Sequence, residues 1–199
     1  MEFSRTEEKA MLADSIARFI ETDYDFETRQ RIAAGEGGFS DEMWRTFAEL
    51  GWTAVPFSEE DGGLDGGPVE LMLMRQEFGR GLLVEPFLAN IVLAGGALRR
   101  LASKDQKTNW MAPLIAGELH AGLAFAEPQA RFELSNIATT AKEGGDGYIL
   151  NGRKTLVLNG GAADLLIIPA RTAGKQTDES GITLFAVPSN TAGVSRRAY

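Results

Sequence analysis

The residues best placed to do chemistry lie between positions 119 and 137, LHAGLAFAEPQARFELSNI. Leu119, Ala121, Leu123 and Phe125 alternate with smaller residues, the period-2 pattern of a strand with one buried face, and Ala126-Glu127-Pro128 then stops it. A strand end followed by a proline loop can present backbone N–H and C=O groups to a flat ligand. Taken alone, the same residues also read as a domain-boundary loop with a solvated glutamate. His120 is the single histidine, so multi-histidine metal sites are out, and a Ser-His-Asp arrangement would hang on one residue inside a strand. It reads as structural. With no cysteine there is no disulfide framework, thiolate metal site or thiol nucleophile. The acidic loop SEEDGGLDGG, residues 58–67, lacks the ligand order of an EF-hand and reads as structural, so no metal site is expected.

Helices must position that junction from the N-terminal side. Ser4 and Glu7 have capping-box spacing, and Met11, Leu12, Ile16, Phe19 and Ile20 recur with helical period to about Asp23. A second helix is predicted from Asp25 to Ala34, and Ser40 caps a third with Trp44 and Phe47 on its apolar stripe. Pro68 suits the first turn of a fourth, apolar on most sides through Val69, Leu71, Met72, Leu73, Met74 and Phe78 and therefore expected to be central, its methionines core. A fifth starts near Pro86, and Gly95-Gly96 within it calls for a close helix crossing or a kink. Ser103 and Gln106 cap a sixth, which Pro113 kinks or ends.

From Leu119 the hydrophobic period changes from about 3.6 to 2. Asn151-Gly152 predicts a two-residue hairpin turn between Tyr148–Leu150 and a strand over residues 153–158. Residues 165–170 and 182–187 are two further apolar strands. The fold class expected is α+β: an all-helical bundle over residues 1–117, then a mostly antiparallel β domain over 118–199. The sheet ends without an element to cover it, so its architecture looks unfinished, to be completed by a partner or by further chain.

Composition fits such a reading. In 199 residues, 44 % are hydrophobic and 24 % charged, enough for a core without staples. The net charge of −8 is scattered, which argues against a nucleic-acid partner. The N-terminus has no secretory apolar region and no apolar run approaches the ~20 residues of a membrane span, so a cytoplasmic protein is expected, without a membrane partner.

ELGWTAVPFSEEDGGLDGGPVE between the third and fourth helices, AEP at the junction and LNGRKTLVLNGGAAD after the strand pair together resemble the acyl-CoA dehydrogenase family. The resemblance spans the whole chain as that family's N-terminal helical and middle β domains, without its C-terminal helical domain. AEPQARFEL also resembles the small subunits of heteromeric members such as pimeloyl-CoA dehydrogenase. Several properties are implied by the resemblance alone: FAD as cofactor, α,β-oxidation of an acyl-CoA thioester, electron-transferring flavoprotein as acceptor, and a homo- or hetero-oligomer with another subunit of the family. The junction normally reads aromatic-x-x-Thr-Glu-Pro-Gly-x-Gly-Ser-Asp. Here Leu123 stands for the aromatic residue and Ala126 for threonine, Glu127 and Pro128 match, and Gln129, Arg131, Phe132 and Glu133 replace glycine, glycine, serine and aspartate. The family's Trp-Ile-Thr-Asn becomes Leu156-Val157-Leu158-Asn159. The cofactor-binding set implied is therefore Phe125 and Ala126 through their backbone, Arg131 toward a phosphate or carboxylate, Phe132, and Leu156 and Leu158 as an apolar wall. No residue is assigned as catalytic base, which the family carries in its C-terminal domain. An alternative implied by the lost hydroxyls is a non-catalytic or half-site subunit with weak or no flavin binding.

Overall fold

The computed structural model describes residues 6–145 and 147–197. Six helical stretches come first. α1 (Glu7–Asp23) is capped by Thr6, whose hydroxyl accepts from the Lys9 N–H. The Ser4 cap expected there lies outside the described residues. Asp25 caps α2 (Phe26–Ala34) and Ser40 caps α3 (Asp41–Glu49), as their residue types favour. α4 (Pro68–Arg80) opens on its proline, with the Glu70 carboxylate accepting from the Gly67 N–H at 2.8 Å. α5 covers residues 88–101, with wide π-type turns over Leu88–Gly95 and regular turns over Gly96–Leu101. α6 covers residues 104–115; it widens over Lys107–Met111, just ahead of Pro113, and ends at Ile115.

Aromatic side chains fill the space between these helices. Phe19 meets Trp52 edge-on at 5.3 Å and Phe47 stacks on Phe78 at 5.6 Å, with Trp44, Phe57 and Phe87 buried around them. Each contributes on the order of 1.5–3 kcal/mol through burial alone. The Gly95 backbone meets an aromatic ring and not another helix: a Cβ there would come within 2.6 Å of the Phe57 ring. α4 also departs from expectation. Val69, Leu73, Met74 and Phe78 are buried, but Met72 is exposed beside Arg75 and Gln76, so this helix keeps one solvent face. The acidic loop is held from within, Lys107 Nζ contacting Asp61 at 3.0 Å and Ser58 Oγ donating to the same carboxylate.

Five strands follow: β1 (Ala121–Leu123), β2 (Thr140–Gly144), β3 (Gly147–Asn151), β4 (Leu165–Arg171) and β5 (Ile182–Pro188). β4, LLIIPAR, is central and almost wholly buried. β5 pairs antiparallel along its full length, while β1 and β2 pair parallel to it near its start and its end. β2 and β3 form an antiparallel hairpin. The sheet is mixed: its long ladders are antiparallel, its short ones parallel.

Two local expectations are overturned. Asn151-Gly152 is not the hairpin turn. Asn151 pairs with Thr140 inside the β2–β3 ladder, which closes at Gly144–Gly147, and residues 152–157 form no strand. The glycines flanking the true turn offered the same backbone freedom as Asn-Gly, and the register of the Tyr148 strand decided between them. β1 is also shorter than its alternation suggests. It ends at Leu123, Ala124 still donates to the Ile167 carbonyl, and Phe125 is 39 % exposed instead of continuing the buried face. No helix among the described residues is long and apolar enough to cross a membrane.

Candidate functional site

Asn90, fully buried on α5, joins the helices to the sheet. Its Oδ1 accepts from the Ala121 N–H at 2.6 Å and its Nδ2 donates to the Leu119 carbonyl. His120 lies beside it. Its Nδ1 faces Asn90 Nδ2 at 3.4 Å, its Nε2 faces Asp41 Oδ1 at 3.4 Å, and its ring packs on Phe39 and Trp44. The amide proton opposite Nδ1 favours the tautomer protonated at Nε2. His120 precedes β1, outside the strand expected to hold it, and packs between α3 and the sheet at one end of the groove.

The chain leaves β1 into residues 124–139, where Glu127 organises the loop. The residue is 4 % exposed, and its carboxylate accepts from the Ala138 N–H at 2.8 Å, the Thr139 N–H at 3.2 Å and Gln129 Nε2 at 2.7 Å. Lys154 Nζ sits 2.7 Å from its other side. Burial would raise the carboxyl pKa, but Lys154 and the convergent donors outweigh it and hold Glu127 down at about 2. For Lys154, burial wins over the attraction of its partner and lowers the ammonium pKa. The pair is thus favourable on one side and costly on the other, as expected of buried ions.

One residue further on, the Thr155 N–H donates to the Ala126 carbonyl at 3.0 Å. That bond and the Glu127–Lys154 pair bring the junction loop against residues 154–158, two segments nearly thirty positions apart in sequence. Leu156 and Leu158 follow directly and stand 65 % and 50 % exposed, although apolar. Leu156 and Asn159 both have positive φ, which bends this segment back over the sheet. Both leucines line an open groove of about 2020 Å³ across the sheet, with Ile168, Phe185, Lys154 and Arg196 also in its wall.

Of the residues singled out in sequence, Ala126 is thus brought beside the Leu156–Leu158 segment and Phe125 precedes it on the same loop. Arg131 and Phe132 lie further along, exposed, and do not line the groove; Phe132 is 100 % exposed. Arg131 has a φ of 51°, the left-handed region, at the position that the resemblance aligns with a glycine.

Two groups escaped the sequence reading. Asn90 hides in an apolar helical run. Arg171, at the end of β4, is buried and donates to the carbonyls of Ser135, Gln176, Asp178 and Ser180 at 2.7 to 3.0 Å. It ties the end of the junction loop to the loop between β4 and β5. Its only sequence signal is a cation closing an otherwise apolar strand.

The family model for the acyl-CoA dehydrogenase N-terminal domain matches residues 6–118, and that for the middle domain matches residues 122–199. A probable acyl-CoA dehydrogenase of Bacillus subtilis, YngJ, is 26 % identical over 98 % of this chain and 51 % of its own length. Among solved structures, the ChsE4-ChsE5 complex from Mycobacterium tuberculosis is 27 % identical with a TM-score of 0.85, covering 100 % of this chain and 52 % of that one. The FAD complex of PigA is 28 % identical, also with a TM-score of 0.85, over 97 % of this chain and 51 % of that one. The chain therefore spans about half the length of the relatives it matches. With both domain models matched in order over nearly every residue, the chain belongs to the acyl-CoA dehydrogenase family, of which it carries the N-terminal and middle domains.

Proposed function

We propose that this chain forms the helical unit (residues 1–117) and middle β unit (118–199) of a FAD-dependent acyl-CoA dehydrogenase that works as an oligomer with another subunit of the family. The observation carrying this reading is the junction of Ala126 with Thr155, which sets apolar Leu156 and Leu158 beside a strand-end loop. Such a shelf fits an isoalloxazine ring in part. The Phe125 and Ala126 N–H groups, which no other described residue takes up, suit the acceptor edge of the ring, and the leucines suit its apolar face. Side-chain donors are missing where the family has hydroxyls, at Ala126, Phe132 and Leu158, and each absent hydrogen bond costs about 0.5–1.5 kcal/mol. Arg131, exposed on the loop and without a partner among the described residues, is placed to meet a phosphate or carboxylate. FAD, when bound, supplies the hydride acceptor for oxidation of the acyl-CoA α,β bond. This chain's residues orient it and keep water from one face.

Neither of the buried carboxylates Glu127 and Glu85 is suited to remove the α proton. Glu127 is held by Lys154 and three donors with its pKa near 2, which makes it a weak base locked away from the groove. Glu85 is buried in the helical half and bound by the Tyr24 hydroxyl at 2.6 Å. The base is assigned to residues beyond these two domains, and electron-transferring flavoprotein is the natural acceptor from the flavin. A second reading, a half-site subunit whose partner holds most of the flavin contacts, draws on the lost hydroxyls and on the likeness to the ChsE4-ChsE5 complex.

The test is flavin titration of wild type and of the Ala126→Thr, Leu156→Trp double variant, alongside turnover of saturated acyl-CoA thioesters with an artificial acceptor. Restored hydroxyl and indole contacts should tighten flavin binding about tenfold. This chain alone should turn over nothing. Unchanged flavin affinity in the double variant would refute the shelf; flavin-dependent turnover by the chain alone would refute the placement of the base.

A further inference from the structure

The turn after Leu158 is held from two sides. At its base, Asp164 Oδ2 accepts from the His120 N–H at 2.9 Å, and the Asp164 N–H donates to the His120 carbonyl at 2.8 Å. These bonds anchor it to β1. Over its top, one nitrogen of Arg196 donates to three converging carbonyls: Gly160 at 3.2 Å, Gly161 at 3.0 Å and Ala163 at 2.8 Å. Within the turn, the Gly160 N–H bonds Val157 O, and those of Ala162 and Ala163 bond Asn159 O. There is no slack, since a Cβ on Gly160 would come within 2.9 Å of Val157.

Carbonyl oxygens that converge repel one another unless a cation lies between them. Arg196 meets that need, and it comes from the segment after β5, which is fixed by the Ser189 N–H on Asp164 O at 2.8 Å. Leu158 precedes this turn directly, and Leu156 has a positive φ, a conformation that a bulky residue keeps only when its surroundings enforce it.

We propose that Arg196 is a positioning residue for the cofactor shelf: it fixes the turn over residues 159–163 and, through it, the height of the Leu156–Leu158 wall above the groove. The inference rests on the flavin reading for what the wall faces, and on the carbonyl contacts alone for the clamp itself.

Two measurements separate these. Amide hydrogen exchange on the whole chain without flavin tests the clamp. Arg196→Ala should speed exchange of the Gly160, Ala162 and Ala163 amides about tenfold or more, with the β4–β5 amides unchanged; Arg196→Lys should restore part of the protection. Flavin titration tests the wall, where Arg196→Ala should weaken affinity about tenfold and Arg196→Lys less. Unchanged exchange at the turn in Arg196→Ala would overturn the proposal whether or not flavin binds. Faster exchange with undiminished flavin affinity would overturn its link to the wall. If wild type binds no flavin while the exchange result holds, the flavin reading fails and the clamp stands.

Discussion

Replacing Lys154 with methionine removes the cation from a nearly inaccessible carboxylate while keeping the length of the side chain. Glu127 would retain the Ala138, Thr139 and Gln129 donors but lose its counter-charge at 2.7 Å. With its pKa lowered from 4.5 to about 2, the folded-state environment of Glu127 contributes roughly 3 kcal/mol at neutral pH. Desolvation of Lys154 offsets part of this, whereas stranding one buried charge costs about 3–5 kcal/mol. We therefore expect Lys154→Met to lose about 3 kcal/mol at pH 7, or on the order of 10 °C in Tm for a chain of this size. The sign of the pH dependence follows from the depressed pKa. The wild-type contribution is complete above the ordinary carboxylate value of 4.5 and is lost as pH falls toward 2. The variant's Glu127 protonates earlier and sheds its stranded charge, so the stability gap should narrow between pH 5 and 3. Urea unfolding followed by the fluorescence of buried Trp44 and Trp52 reports the gap at each pH. Adding Glu127→Gln to the variant should recover about 1 kcal/mol or more, because the two positions are coupled. A gap below about 1 kcal/mol at pH 7, or one that stays constant down to pH 3, would refute the view of Glu127–Lys154 as the clasp of the site.

Arg171→Met should destabilise the β half by roughly 3 kcal/mol, because four carbonyls lose their shared donor; amide exchange in residues 133–137 and 176–181 would rise first, and unchanged protection there would count against the cage. Phe47→Ala, which removes a fully buried ring in contact with Phe19, Trp52 and Phe78, should cost about 3–5 kcal/mol in urea unfolding, and a loss under 1 kcal/mol would mean that the aromatic cluster can collapse around the gap.

Local signals were enough wherever a few neighbouring residues decide the outcome. Asp25, Ser40 and Pro68 marked helix starts because each satisfies orphan backbone groups by itself, whatever lies across the core. The change of hydrophobic period near residue 119 separated helices from strands for the same reason. The motifs at 49–70, 126–128 and 150–164, taken together and in that order, were enough to place the chain in its family. Tertiary contacts decided the rest. Whether Asn151-Gly152 or the glycines near 145 would turn the hairpin depended on which register buries Ala141 and leaves Tyr148 against Phe185. The parallel placement of β1 and β2 along one edge of β4 is a pairing between segments 44 and 31 residues apart, about which periodicity is silent.

The sequence by itself determined the order of the helices, the place where helices give way to strands, the family and the identity of the side chains available at the shelf. Only the folded chain decided what those side chains do. Glu127, which could have been a solvated loop carboxylate, became a buried anion because Lys154 and the amides of residues 138 and 139 converge on it. Asn90, Arg171 and Arg196 look unremarkable in their own segments, since their partners are carbonyls and amides that any residue carries. A backbone group has no sequence signature, so the contacts that hold this site together become visible only when tertiary packing brings donor and acceptor within 3 Å.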